Sequence, residues 1–124
     1  MKVIHTDKAP AAIGPYSQAI EAGDFIFTSG MIPVIPETGA IAGDTVEEQA
    51  AQAFTNLKNL IEASGSSLDK VVKTTVFIKD MNDFSKINEV YASFFTGNLP
   101  ARSCVEVARL PKDVKLEVEA VAIK

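Results

Sequence analysis

Pro100-Ala101-Arg102-Ser103-Cys104-Val105-Glu106-Val107, then Leu110-Pro111-Lys112-Asp113, then Leu116-Glu117-Val118-Glu119-Ala120-Val121 make up the last quarter of the chain. The first and third pieces alternate apolar and polar residues as half-buried strands do, and Pro111 followed by Lys112-Asp113 is turn chemistry. The reading is a C-terminal strand pair. Two charges interrupt it: Arg102 opens one strand and Glu117 lies inside the other, among Val, Leu, Ala and Cys. A guanidinium is a planar, permanently charged fork that suits a carboxylate or phosphate. A carboxylate nearby can position or activate water. The plain alternatives are a structural ion pair between the two, or two side chains turned to solvent.

Working outward, Val71 to Ile78 (VVKTTVFI) is the most strand-like run of the chain, with apolar residues at both parities. Before it, Thr45-Val46-Glu47-Glu48 reads as a capping box opening a helix. Ala50, Ala53, Phe54, Leu57, Leu60 and Ile61 follow at helical spacing, and Gly65 is a stop. After it, Asp80 or Asn82 caps a second helix with Phe84, Ile87, Val90, Tyr91, Phe94 and Phe95, ended by Gly97. Toward the N-terminus lie a short strand at Val3-Ile4 and a strand from Tyr16 to Ile20. A connection at Glu21 to Asp24 then leads to a strand from Phe25 to Ser29. A long loop runs from Gly30 to Asp44, of the kind that reaches over a site or a neighbouring subunit.

The order β-β-β-α-β-α-β-β predicts an α+β two-layer sandwich, a mixed sheet of six strands covered on one face by two helices. One helical layer leaves the other face open, and for so small a chain a second copy of itself is the economical cover. The 124 residues are read as one domain, 1–124. No apolar run reaches the roughly 20 residues of a membrane span, and the N-terminus lacks a signal peptide's apolar core, so a cytoplasmic protein is expected. A net charge of −4 argues against nonspecific nucleic-acid binding. One cysteine excludes an internal disulfide, and with a single histidine no zinc site and no metal are expected.

The C-terminal stretch resembles the signature of the YjgF/RidA family of enamine/imine deaminases. Ile13-Gly14-Pro15-Tyr16-Ser17-Gln18-Ala19 and Phe27-Thr28-Ser29-Gly30-Met31-Ile32-Pro33 resemble two more family motifs, in the same order and at matching distances. The likeness runs over nearly the whole chain, which makes it far more specific than any one motif. It implies a chorismate-mutase-like fold and a homotrimer with three clefts between subunits.

The resemblance also assigns roles. Arg102 grips a substrate carboxylate, Glu117 holds and polarises the attacking water, and Tyr16 steers substrate or relays a proton. Ser29, Gly30 and Cys104 shape the pocket. Each has a plainer reading: Tyr16 as an interface aromatic, Ser29 as a turn residue, Cys104 as a small buried hydrophobe. Glu119 shares the parity of Glu117 and is read as a solvated acid. Phe84, Tyr91, Phe94 and Phe95 are read as core. The implied reaction is cofactor-free hydrolysis of small 2-imino or 2-enamino acids, such as 2-aminoacrylate, to 2-oxo acids and ammonia. The alternative is a trimer that binds 2-oxo acids as a regulator without turnover. A ribonuclease role, attached to some family members, sits poorly with a pI near 4.9.

Overall fold

The computed structural model describes residues 1–124. Strands β1 (Lys2–Ile4), β2 (Ala19–Ala22) and β3 (Phe25–Thr28) precede helix α1 (Val46–Ala63). Strand β4 (Val71–Ile78), helix α2 (Phe84–Phe94), and strands β5 (Ala101–Glu106) and β6 (Leu116–Ile123) follow. The strands join in one mixed sheet ordered β1-β2-β3-β6-β4-β5.

The expected C-terminal strand pair is not formed. β6 runs antiparallel to both β3 and β4, while β5 lies parallel to β4 at the far edge. Two physical causes decide this. A helix between two strands returns the second strand parallel to the first, so β4-α2-β5 closes as a unit. The apolar β4 is also better satisfied with a neighbour on each side than at an edge. The turn at Pro111 does form, as a 3-10 turn over Pro111–Asp113, but its reversal carries the chain past β5's neighbour. Lys112 and Asp113 both take positive φ there (56° and 55°), uncommon for residues with side chains.

The local signals elsewhere act largely as read. The Thr45 hydroxyl accepts from the Glu48 amide at 3.2 Å and meets the Glu48 carboxylate at 2.9 Å. At the far end Gly65, at φ 89°, lets Ser66 N–H reach Ile61 O and its own N–H reach Glu62 O. Asp80 caps a short 3-10 turn, accepting from the Asn82 amide at 2.9 Å, and that turn feeds α2. The β2 strand begins only at Ala19, because the chain bends at Gly14 to Tyr16, where Tyr16 N–H bonds Gly14 O at 2.9 Å.

The two faces of the sheet differ sharply. Val76, Ile78, Leu116, Val118, Ala120 and Ala122 turn to one side and pack with Phe54, Leu57, Leu60, Ile61 and Ile87 of the helices. The other side carries Val3, Phe25, Phe27, Val105 and Ile123, all more than 40% exposed. These side chains make an exposed apolar patch, while Phe77 on the same face packs against the small buried cluster of Ile32, Val34, Leu110 and Val114.

Candidate functional site

On the open face, a cleft forms where β3 ends beside β6. Ile13, Tyr16, Ser29, Gly30, Ile32, Pro111, Glu117 and Glu119 line it. The chain beyond β3 stays against β6: Met31 N–H donates to Val118 O at 2.7 Å, and Val118 N–H returns the bond to Met31 O at 3.1 Å. This exchange brings Gly30 under the side chain of Glu117. A Cβ on Gly30 would lie 2.5 Å from Glu117 Oε2 and 2.9 Å from its Cγ, so glycine is required by close approach. Ser29 is tied down from both ends. Its N–H donates to Gln18 O at 2.8 Å, and its hydroxyl donates to Ser17 O at 2.6 Å.

Gln18 explains how the loop carrying Tyr16 keeps its shape. Its side-chain oxygen accepts from Thr6 N–H at 2.8 Å, and its amide nitrogen donates to the carbonyls of Thr6, Ala9 and Pro10. Tyr16 itself is about half exposed, with its hydroxyl accepting from Ile13 N–H at 3.3 Å. A chamber of about 180 Å³ adjoins the cleft behind Tyr16 and Ile32, with Val34, Pro36 and Lys112 on its walls. Asn56, fully buried on α1, holds that wall by donating to Ile32 O at 3.0 Å and Val34 O at 2.8 Å.

Burial pushes the Glu117 carboxyl above its ordinary value, and the neighbouring Glu119 carboxylate adds to the rise. A carboxylate held above its ordinary value is a stronger base than a free one.

Arg102 is not in this cleft. It pairs in register with the buried Thr74, so its side chain leaves the sheet on the helix-covered side. There Nη1 donates to Asn88 Oδ1 at 2.7 Å, and the guanidinium carbon lies 4.7 Å from the Tyr91 ring centroid and 5.5 Å from that of Phe84. Tyr91 is fixed in turn by a 2.8 Å hydrogen bond to Thr74. The rest of the fork has no hydrogen-bond partner in the chain. Cys104 shares this face, half-buried against the core. Burial pushes its thiol up, with Arg102 only partly offsetting that, so the group is a neutral thiol at neutral pH.

The predicted site residues therefore fall into two separate groups. Tyr16, Ser29, Gly30 and Glu117 meet in the open-face cleft, whereas Arg102 and Cys104 stand behind the sheet. The ion-pair alternative fails, since neither Arg102 nor Glu117 enters any of the chain's ion pairs. Sequence reasoning missed Asn88 and took Phe84 and Tyr91 simply as core. The signal was present: Phe84, Asn88 and Tyr91 form an i, i+4, i+7 stripe on α2, with an amide where an apolar residue is expected.

Residues 6–124 match the family described as Endoribonuclease L-PSP. The chain is 56% identical over 126 residues to a 2-iminobutanoate/2-iminopropanoate deaminase of Salmonella typhimurium, covering 99% of this chain and 98% of that one. Among solved structures, the YjgF gene product of E. coli superposes with a TM-score of 0.96 at 54% identity, covering 100% of this chain and 99% of that one. E. coli TdcF with bound serine gives 0.96 at 53% identity, with coverage of 100% and 99%.

Proposed function

The chain belongs to the Endoribonuclease L-PSP family, which is the YjgF/RidA family, and on that footing we propose that its two half-sites form one imine-hydrolysing site. The enzyme is a 2-iminobutanoate/2-iminopropanoate deaminase. Water adds to the carbon of R–C(=NH)–COO⁻, and the adduct collapses to R–CO–COO⁻ and ammonia.

The observation that carries the site assignment is the Glu117 carboxylate lying over Gly30 in a cleft that also holds Tyr16 and Ser29. Glu117 orients water and takes its proton as oxygen bonds to the imine carbon, then passes that proton to nitrogen to complete the amino-alcohol adduct. It next relays the hydroxyl proton to nitrogen as C=O forms, the C–N bond breaks and ammonia leaves. Tyr16 and the tethered Ser29 shape the cleft and steer the proton. Arg102, held by Asn88 and two rings, offers the unused part of its fork to the substrate carboxylate. Such imines hydrolyse in water unaided, so positioning with modest proton transfer suffices, each worth roughly 10²–10⁴-fold.

One chain presents Arg102 and Glu117 on opposite faces, so a site using both draws them from two copies. The apolar open face supports assembly, since Phe25, Phe27, Val105 and Ile123 together invite cover. The family resemblance implies three copies and three clefts between subunits, with Arg102 and Cys104 of one copy facing Tyr16, Ser29 and Glu117 of the next. A cytoplasmic location fits a source of substrate in amino-acid dehydratases. No helix is long and apolar enough to cross a membrane.

The test couples a threonine or serine dehydratase to this protein and follows 2-oxo acid release. Faster release with wild type, lost in Arg102→Ala and Glu117→Gln, supports the assignment. No acceleration, with 2-oxo acid still binding through Arg102, would favour a regulatory ligand-binding role instead.

A further inference from the structure

Within its own chain, Arg102 is held by uncharged groups alone. On β5 it stands opposite Thr74 and turns toward α2, where Phe84, Asn88 and Tyr91 lie in one stripe. Asn88 Oδ1 accepts from Nη1 at 2.7 Å, and the guanidinium carbon lies over the Tyr91 and Phe84 rings. Cys104, two residues along β5 on the same face, is a neutral thiol. None of the chain's ion pairs includes Arg102, although its side chain is only partly exposed. A partly buried arginine is ordinarily matched by a carboxylate, which takes two N–H groups at once and cancels the charge. Here the acceptor is an amide, which takes an N–H and brings no charge. Nε and Nη2 keep no partner in the chain.

We propose that Asn88 is a neutral positioning residue: its amide oxygen fixes the guanidinium while leaving the full positive charge and the Nε–Nη2 edge to the substrate carboxylate. This rests on the deaminase reading, in which Arg102 grips that carboxylate. Aspartate has nearly the size and shape of asparagine and offers an oxygen at the same place. At position 88 it would close an ion pair inside one chain, which the substrate would have to displace. In the two-copy site, Glu117 of the next copy works on water at the imine carbon, so the substrate carboxylate is the anion that meets the fork. A merely structural role for Asn88 predicts the reverse order. Asp would keep and strengthen the hydrogen bond, and would be tolerated better than Ala.

The test is calorimetric titration with 2-oxobutanoate, alongside KM and kcat with dehydratase-supplied imine, on wild type, Asn88→Ala, Asn88→Asp and Arg102→Ala. Asn88→Asp is expected to weaken 2-oxobutanoate binding and raise KM roughly tenfold or more, beyond Asn88→Ala, with kcat moved less. Its melting temperature should equal or exceed that of Asn88→Ala. Binding by Asn88→Asp as tight as wild type, or tighter than by Asn88→Ala, overturns the proposal, as does full binding by Arg102→Ala. If Asn88→Asp does not fold, Asn88→Glu and Asn88→Gln decide: Glu must bind about tenfold more weakly than Gln. Wild type that keeps this order of binding but speeds no imine hydrolysis supports the role of Asn88 and sinks the deaminase reading instead.

Discussion

Arg102 and Glu117 stand on opposite faces of one sheet: β4 meets Arg102 at Thr74, which is buried under the helices, and meets Glu117 at Phe77, which faces the open side. Adjacent residues on a strand point to opposite faces, so the odd spacing from Thr74 to Phe77 separates the two charges. A guanidinium and a carboxylate this placed can serve one small substrate only if copies of the chain meet.

The setting of Arg102 is rigid. Asn88 takes one N–H at 2.7 Å, and the guanidinium carbon lies over the Tyr91 and Phe84 rings, 4.7 and 5.5 Å from their centroids. Arg102→Lys keeps the charge and loses the fork, and is expected to raise KM roughly tenfold or more. Asn88→Ala should move KM the same way, by less. Steady-state kinetics check this, and unchanged KM in both would mean Arg102 does not grip the substrate.

Gly30→Ala tests the close approach under Glu117. The new methyl would meet the Glu117 side chain from Oε2 back to Cγ, so the carboxylate must move off its place. Displacement of a reacting group by about an ångström costs on the order of 100-fold in rate. The expected result is a folded protein with kcat depressed to that extent.

Glu117 also leaves a signature in stability. Burial and Glu119 raise its folded-state value, so the folded chain holds this proton more tightly than the unfolded chain does. Stability is then free of this cost below the unfolded value, declines as pH rises toward the folded value, and carries the whole cost above it. Glu117→Gln cannot ionise. Its melting temperature relative to wild type should therefore be higher at about pH 7 than at about pH 4, by calorimetry at both. A difference independent of pH would contradict the direction assigned to Glu117.

Asn56 anchors the loop that walls the cleft. It is fully buried, donates to Ile32 O and Val34 O, and accepts from Gln52 at 2.8 Å. Asn56→Leu strands those groups without partners and is expected to cost about 2–4 kcal/mol in urea unfolding.

Much of this architecture is legible in the residues, because the signals are local. The Thr45–Glu48 box, the Gly65 stop and the VVKTTVFI strand each act through neighbours a few positions away. Strand order is different in kind. Pro111 marks a reversal, yet nothing within Pro100 to Val121 says that β4 will lie between the two flanking strands. That depends on burial of β4 and on the α2 crossover, both distant in sequence. The same gap hid the relation of Arg102 to Glu117: parity within each strand is visible, but their relative faces follow only from register with β4. The spacing of Tyr91 and Phe84 reads as core, and Tyr91 does lie in the core with Phe84 packed against it. That their faces also carry a guanidinium depends on where β5 lands.

The most direct measurement mixes two inactive proteins. Arg102→Ala and Glu117→Gln are unfolded, refolded together in equal amounts, and assayed with a dehydratase supplying the imine. If each site takes Arg102 from one copy and Glu117 from the next, random assembly rebuilds about one quarter of the sites, and activity returns to about that fraction of wild type. If the mixture stays as inactive as its components, while wild type treated alike recovers, the site does not span two copies and the account is wrong.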